Sequence, residues 1–227
     1  PRQNYSSEMS EEFAASVGTM VSETHRLTRY PTRLALNYEP FCNLRCMTCS
    51  VVDAFSSVTK PAVDTVGAEF DGLLTEQNFS RVNEIIFSGG EPLLSRHCKK
   101  LLKFVSDLDR AKNIDLIYHT NLSVLPVEET AIWGKFKRVT IIVGIDADPH
   151  SIEYVRYPLK WATLEKNLSA LSAFVATIPN LQIRFSYLVT ILSLPHLGRA
   201  LSALTAFRHL GNVVPSLRII SKPSHFR

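Results

Sequence analysis

Residues 34–49 read LALNYEPFCNLRCMTC, an apolar run that passes directly into a loop with three cysteines. The run from Leu34 to Tyr38 has the length and apolar character of a buried β-strand. Cys42, Cys46 and Cys49 follow it with a C-x3-C-x2-C spacing. Because chemistry in parallel α/β sheets sits at the carboxyl ends of the strands, this stretch predicts a strand that presents a reactive loop.

Similar apolar runs recur along the chain, each followed by a turn and a longer amphipathic segment, which is typical of repeated βα units. The predicted strands are Leu34 to Tyr38, Glu84 to Phe87, Ile114 to His119, Val139 to Ile145, Gln182 to Val189 and Val214 to Ile220. A closed barrel needs eight such units, so six units predict an α/β fold with an open, curved parallel sheet, a partial TIM-like (βα)6 barrel. Residues 1–31 are predicted to be a polar lead-in, and residues 32–227 the core domain.

Helices between the strands are predicted from apolar residues that recur every three or four positions. The longest such face is Trp161, Leu164, Leu168, Leu171, Val175 and Ile178. Shorter faces are Val63, Val66, Phe70 and Leu73; Leu101, Val105 and Leu108; and Leu197, Leu201 and Leu204. We expect each of these helices to cover the sheet.

Composition excludes several other classes of protein. The 227 residues, 45% of them hydrophobic, are enough for one α/β domain with a sizeable core. The 25 Lys and Arg exceed the 21 Asp and Glu by only four and are scattered, so we expect no nucleic-acid partner. The sequence shows neither an apolar run of about 18 residues nor a signal-peptide core, so we expect no membrane partner and a cytoplasmic location. The chain ends soon after an apolar run, which suggests a truncated sequence.

The cysteine spacing indicates a metal centre. Cys42, Cys46 and Cys49 lie within eight residues, whereas Cys98 stands apart. In a reducing compartment such clustering favours metal binding over disulfides. Three thiolates can each ligate one iron of an iron–sulfur cluster and leave one iron open, whereas a structural zinc ion requires four protein ligands. The alternative is a zinc site completed by Cys98 or His97.

The second predicted strand ends in a glycine turn, Ser88-Gly89-Gly90-Glu91-Pro92. Two glycines allow positive φ and a close approach of the backbone to a ligand, and Pro92 fixes the exit of the turn. An ordinary connection between strand and helix would also explain this turn.

Together the two motifs resemble the signature of the radical S-adenosylmethionine superfamily, because Cys42-Asn43-Leu44-Arg45-Cys46 and Cys49 are followed one unit later by the glycine turn. The resemblance covers residues 32 to 221. It implies an enzyme whose [4Fe–4S] cluster is held by Cys42, Cys46 and Cys49, with the fourth iron chelated by S-adenosylmethionine. Reductive cleavage of that cofactor would give a 5′-deoxyadenosyl radical that abstracts hydrogen from a substrate.

The resemblance also implies positions for S-adenosylmethionine. The turn of Gly89, Gly90, Glu91 and Pro92 would bind its amino group, and Arg156 its carboxylate. The ends of the third and fourth strands add Thr120, Asn121 and Asp146 as candidates; Asn121 could instead form a turn, Asp146 a cap, and Arg156 a surface position. Less specific pocket candidates are Ser186, Tyr187 and Ser193.

Three positions depart from the family pattern: Thr48 replaces a large apolar residue, Leu122 a glycine and Gly144 a serine that contacts the ribose. The sequence is most similar to the branch with an additional SPASM or twitch cluster domain, which these residues lack. That branch implies a peptide or protein side chain as substrate, and a reductant such as flavodoxin or ferredoxin. The alternatives are a radical enzyme acting on a small molecule (sugar, nucleoside or lipid), and a metal-binding module that has lost turnover.

Overall fold

The computed structural model describes residues 30–36, 41–49, 70–210 and 216–219. Within these ranges six strands form one parallel sheet. The strands are β1 (Arg33–Leu36), β3 (Glu84–Phe87), β4 (Asp115–Thr120), β5 (Arg138–Gly144), β7 (Leu181–Val189) and β8 (Ser216–Ile219). Each overlaps a predicted strand, and spatial order follows chain order. The predicted open parallel sheet is therefore confirmed, although residues 37–38, 214–215 and 220 of the predicted runs lie outside the described residues.

The described helices connect these strands. After the helical residues 70–73, they are α1 (Glu76–Phe79), α2 (Arg96–Ser106), α3 (Val127–Trp133), α4 (Ile152–Val155), α5 (Trp161–Thr177) and α6 (Leu197–Leu204). Short 3-10 segments lie at Pro92–Leu94, Ala111–Asn113, Leu194–His196 and Thr205–Leu210. No described helix has the length and apolar character needed to cross a membrane.

The core lies between one face of the sheet and the helices. On α5, Leu164, Leu168 and Leu171 of the predicted apolar face are fully buried. Alternate strand residues face the same core, among them Phe87, Tyr118 and Ile141, because side chains of a strand alternate between its two faces.

Two helix predictions need correction or qualification. Leu73 was predicted to cover the sheet, but it is 54% exposed, because helical structure ends at that residue and the chain turns to the surface. Leu108 lies beyond the end of α2 but still packs partly buried against the core. Val63 and Val66 lie outside the described residues.

A second sheet, which the sequence analysis did not predict, holds the cysteine loop. Strand β2 (Arg45–Cys46) pairs antiparallel with β6 (Arg156–Tyr157), so that Cys46 lies opposite Arg156. Two-residue strands carry no periodicity, and only the folded chain reveals them. The loop after β1 is thereby fixed to the segment that follows β5.

Candidate active site

The loops that follow β1 and β3 meet at the carboxyl edge of the sheet through backbone hydrogen bonds. Ser88 N donates to Leu36 O at 2.9 Å, and Glu91 N donates to Phe41 O at 2.8 Å. The second bond joins the glycine turn directly to the residue that precedes Cys42. The two motifs recognised in the sequence therefore lie side by side.

The cysteine loop is held at several points. Met47 N donates to Val155 O at 2.9 Å, and Cys49 N donates to Cys46 O at 3.1 Å. Cys42 Sγ accepts from Leu44 N at 3.4 Å and from Asn121 Nδ2 at 3.6 Å. All three thiols are free and half-buried, and burial raises the pKa of Cys42 and of Cys46.

Glu91 is the most completely bonded side chain of the glycine turn. Its residue is only 2% exposed. Oε1 accepts from Thr120 Oγ1 at 2.6 Å and from Leu93 N at 3.2 Å, while Oε2 accepts from Asn121 N at 2.8 Å. Burial raises the pKa of Glu91, and these hydrogen bonds partly oppose that rise. Glu91 thus bridges the carboxyl ends of β3 and β4.

The rest of the turn has the geometry expected of two glycines and a proline. Gly89 has φ 113°, in the region that glycine adopts without a steric penalty. Pro92 is buried and opens the 3-10 segment, whose first turn Glu91 caps. Gly90 is half-buried beside them. The turn is therefore built to bring backbone close to the site.

Asn121 links the end of β4 to the cysteine loop. Besides Cys42 Sγ, its Nδ2 donates to Asn43 Oδ1 at 3.2 Å. Its Oδ1 accepts from Ser123 N at 2.8 Å, and Asn43 Nδ2 donates to Ser123 Oγ at 2.8 Å. Asn121 thus makes the turn-type contact considered from the sequence and also contacts a cysteine.

Asp146 and Arg156 form a largely buried ion pair next to the cysteine loop. Arg156 Nη1 lies 3.3 Å from Asp146 Oδ2, and the two side chains are 11% and 15% exposed. Asp146 Oδ1 accepts from Leu188 N at 3.0 Å, and Arg156 Nη1 donates to Gly144 O. Burial is the largest single influence on the pKa of Arg156 and lowers it. The negative charge of Asp146 and further neighbouring groups outweigh burial, so the pKa of Arg156 is raised overall. Neither residue is the free cap or surface side chain considered as an alternative.

The zinc alternative has no geometric support in the described part of the chain. There, no group of three or more His, Cys, Asp or Glu side chains is arranged so that it could hold one metal ion. Cys98 lies in the hydrophobic core on α2, and the ring of His97 packs edge-on against Phe70 at 4.8 Å.

Comparison with known proteins settles the family. The sequence pattern of the Radical SAM superfamily matches residues 36–196, well over half of the chain. The chain belongs to the Radical SAM superfamily. Enzymes of this superfamily use a [4Fe–4S] cluster and S-adenosylmethionine, so the predicted family, enzyme class and cofactors are confirmed.

Individual relatives support the radical SAM fold. SuiB of Streptococcus suis has a TM-score of 0.60 at 16% identity, covering 87% of this chain and 41% of that one. The structure described as anSMEcpe with bound AdoMet and Cp18Cys peptide has a TM-score of 0.58 at 15% identity, covering 84% and 51%. A protein named "Putative L-lysine 2,3-aminomutase" from Aquifex aeolicus (strain VF5) is 33% identical over 113 residues, which are 48% of this chain and 28% of that protein. The chain thus spans about half or less of each relative.

The cysteine loop fits a radical SAM cluster better than a single ion. In a cluster each thiolate binds its own iron, so the three sulfurs do not converge on one point. The loop supplies three half-buried free thiols within eight residues of chain, whereas the fourth cysteine, Cys98, lies in the hydrophobic core on α2. A donor set of three would leave one iron of such a cluster without a protein ligand.

The departures from the radical SAM pattern have local explanations at two of three positions. Leu122 adopts φ 52°, the left-handed conformation that favours glycine, yet its side chain is fully buried. At Gly144 an added Cβ would lie 2.5 Å from Arg156 Nη1, so the guanidinium occupies the space of the missing side chain. Thr48 is half-buried, and nothing in the structure explains its identity.

Of the three less specific pocket candidates, Ser186, Tyr187 and Ser193, only Ser186 keeps an accessible side chain that could line a radical SAM pocket. It is half-buried and lies opposite Gly144 in the sheet. Tyr187 is fully buried and donates to Ser193 O at 2.8 Å, and Ser193 Oγ donates to Leu188 O at 2.7 Å. Tyr187 and Ser193 are therefore interior residues that shape the loop after β7, and the prediction that they line a pocket is wrong.

Sequence reasoning missed two polar residues that support the site. Asn43 joins the network of Asn121 and Ser123 described above. Asn167 is buried on α5 and its Nδ2 donates to Leu122 O at 2.8 Å, which holds the left-handed turn. A signal was present for Asn167, because it stands beside Leu168 on the apolar face of a predicted helix.

Proposed function

We propose that this chain is the catalytic core of a radical SAM enzyme whose cluster is held by Cys42, Cys46 and Cys49. The observation that supports this most strongly is the bond from Glu91 N to Phe41 O, which sets the glycine turn against the cysteine loop at the carboxyl edge of the sheet. Two motifs separated by about forty residues of sequence thereby border one site, as binding of one cofactor by both of them requires.

We assign the neighbouring side chains to the S-adenosylmethionine site according to their contacts. Gly89 and Gly90 offer backbone, and Pro92 fixes the turn. The Glu91 carboxylate accepts a hydrogen bond from Thr120 Oγ1. We therefore assign these two side chains the role of positioning that backbone, and not of binding the cofactor through free oxygens. Asn121 lies at the cysteine loop, where its amide orients Cys42.

Asp146 and Arg156 complete the assigned set. Arg156 keeps a buried Nε that has no hydrogen-bond partner among the described residues. A carboxylate placed there would satisfy this donor, since buried guanidinium groups are stable only when paired. A cluster bound there would supply the electron for reductive cleavage of S-adenosylmethionine, and the resulting 5′-deoxyadenosyl radical would take hydrogen from the substrate.

For the substrate we propose a peptide or protein side chain, with flavodoxin or ferredoxin as reductant. SuiB has been solved bound to the precursor peptide SuiA, and anSMEcpe bound to the peptide Cp18Cys. These likenesses concern the fold, so they favour a substrate class and no particular peptide. The aminomutase relative favours the alternative of a small molecule, and its name makes L-lysine the first compound to try.

The cluster assignment is tested by anaerobic reconstitution with iron and sulfide, followed by paramagnetic resonance of the reduced protein with and without S-adenosylmethionine. We expect a [4Fe–4S] signal that changes when S-adenosylmethionine is added, because the open iron binds it. Tightly bound zinc without a cluster would contradict the proposal and leave a metal-binding module.

The substrate class is tested separately by 5′-deoxyadenosine formation in the reduced protein. Addition of L-lysine is compared with addition of synthetic peptides. Stimulation by peptides and not by L-lysine supports the proposed class. Stimulation by L-lysine alone would replace it with the small-molecule alternative and leave the cluster assignment intact.

A further inference from the structure

Arg156 sits in a space that only glycine at position 144 leaves open. A Cβ at Gly144 would lie 2.5 Å from Arg156 Nη1 and 3.4 Å from its Cζ and Nη2. The same Nη1 donates to the carbonyl oxygen of Gly144 and lies 3.3 Å from Asp146 Oδ2. The position of the guanidinium thus depends on the absence of a side chain at the last residue of β5.

Arg156 is also the strand partner of a proposed cluster ligand. Cys46 lies directly opposite Arg156 in the antiparallel pair of β2 and β6. Side chains of such partners lie on the same face, with Cβ atoms about 5 Å apart. The guanidinium of Arg156 therefore lies on the same face of the pair as the Cys46 side chain, where it places a positive charge next to the sulfur.

Arg156 and Gly144 act together, we propose, to set the reduction potential of the cluster: glycine leaves room for a permanent positive charge, and that charge faces the sulfur of Cys46. The inference rests on the proposed cluster ligands. Reduction adds negative charge to a cluster, so a nearby buried cation stabilises the reduced form and raises the potential. Arg156 is 9% exposed, so solvent screens its charge little.

The test is a redox titration of the reconstituted cluster without S-adenosylmethionine, which isolates the cluster from cofactor binding. In Arg156→Gln we expect a more negative midpoint potential than in the parent, because the cation is lost and Asp146 stays. In Asp146→Asn we expect the opposite shift, because an anion next to the guanidinium is lost. A purely structural role of the pair would not give shifts of opposite sign.

Arg45→Gln is the matched control. It removes the same charge from the residue next to Cys46, but Arg45 is exposed and lies opposite Tyr157 in the pair. We expect its midpoint potential to stay close to that of the parent. A shift as large as that of Arg156→Gln would overturn the proposal, since general surface charge would then explain both.

Gly144→Ala tests the second half of the pair and serves if Arg156→Gln takes up no cluster. The added methyl group displaces the guanidinium, so we expect a shift of the same sign as in Arg156→Gln, and little further change in the double variant. An unchanged potential in Gly144→Ala would refute the inference. A parent protein that forms no cluster would refute the proposed function instead.

Discussion

Glu91→Gln tests whether the carboxylate of Glu91 joins the glycine turn to the end of β4. Both carboxylate oxygens accept hydrogen bonds, from Thr120 Oγ1, Leu93 N and Asn121 N. Glutamine has nearly the same shape but only one acceptor oxygen. If that oxygen keeps its hydrogen bonds from Thr120 Oγ1 and Leu93 N, the side-chain NH2 group of glutamine faces the backbone N–H of Asn121. Two donors then point at each other, and neither has an acceptor.

The expected loss follows from the number of donors left without a partner. One buried, unsatisfied donor costs about 1–3 kcal/mol. Removal of a buried charge returns part of this, so we expect Glu91→Gln to lower the free energy of unfolding by about 1–2 kcal/mol. Glu91→Ala strands all three donors, and there we expect about 3 kcal/mol or more.

The assay is urea unfolding of the metal-free protein followed by circular dichroism, with iron content after reconstitution as a second measurement. Glu129→Gln is the control, because Glu129 is also buried but its Oε1 accepts no hydrogen bond from any described residue and has only a loose ion pair with Lys99 Nζ at 3.7 Å. We expect Glu129→Gln to be neutral or slightly stabilising and to load iron normally. Parent-like stability and iron content in Glu91→Gln, or equal losses in both variants, would refute the reasoning.

Three further predictions concern single residues. Leu122→Gly should lower the free energy of unfolding by about 2 kcal/mol, because loss of a buried leucine (about 3 kcal/mol) exceeds relief of the left-handed strain (about 1 kcal/mol); a gain in thermal stability would contradict this. Burial raises the pKa of Asp148, but hydrogen bonds from Ser151 and Arg199 outweigh it and lower the pKa to about 2. The stability this gives is therefore present above pH 4 and lost as pH falls toward 2. Because Arg199 is 59% exposed, solvent screens its charge, and we expect this contribution to the free energy of unfolding to be about 1 kcal/mol. The contribution should be absent in Asp148→Asn when unfolding is measured between pH 4 and pH 2. Cys98→Ala should keep full cluster iron while Cys46→Ala loses it; the reverse pattern would overturn the ligand assignment.

Strand positions were predictable because each strand is a short apolar run between turn residues. Glu84–Phe87 was predicted with the observed bounds, and the other five strands of the parallel sheet with small shifts at their ends. The ends are harder to predict because hydrogen bonds to neighbouring strands decide them, as at Thr120, which pairs with Val143. Helix faces were predicted where periodicity was long, as on α5, and failed at Leu73, where a helix ends.

The sequence predicted which polar residues lie near the site better than it predicted the contacts that each of them makes. The sequence singled out Glu91 and Thr120 as neighbours of one cofactor, but not that they bond each other. Tyr187 lies near the end of β7 and Ser193 lies in the loop that follows it, yet both side chains turn inward. The direction of a side chain at a strand end depends on the loop conformation, which no periodic pattern encodes.

By itself, the sequence determined the family, the order of strands and the cysteines proposed to hold the cluster, because spacing along the chain and apolar periodicity are local properties. Only the tertiary structure determined the partners of those residues. Cys46 faces Arg156 across 110 positions of sequence, and Gly144 is glycine because that same guanidinium fills its space. The first contact arises because the loop after β1 packs against the segment after β5, and the second because that segment folds back onto the end of β5. Both depend on how the loops pack, which no local pattern of the sequence encodes.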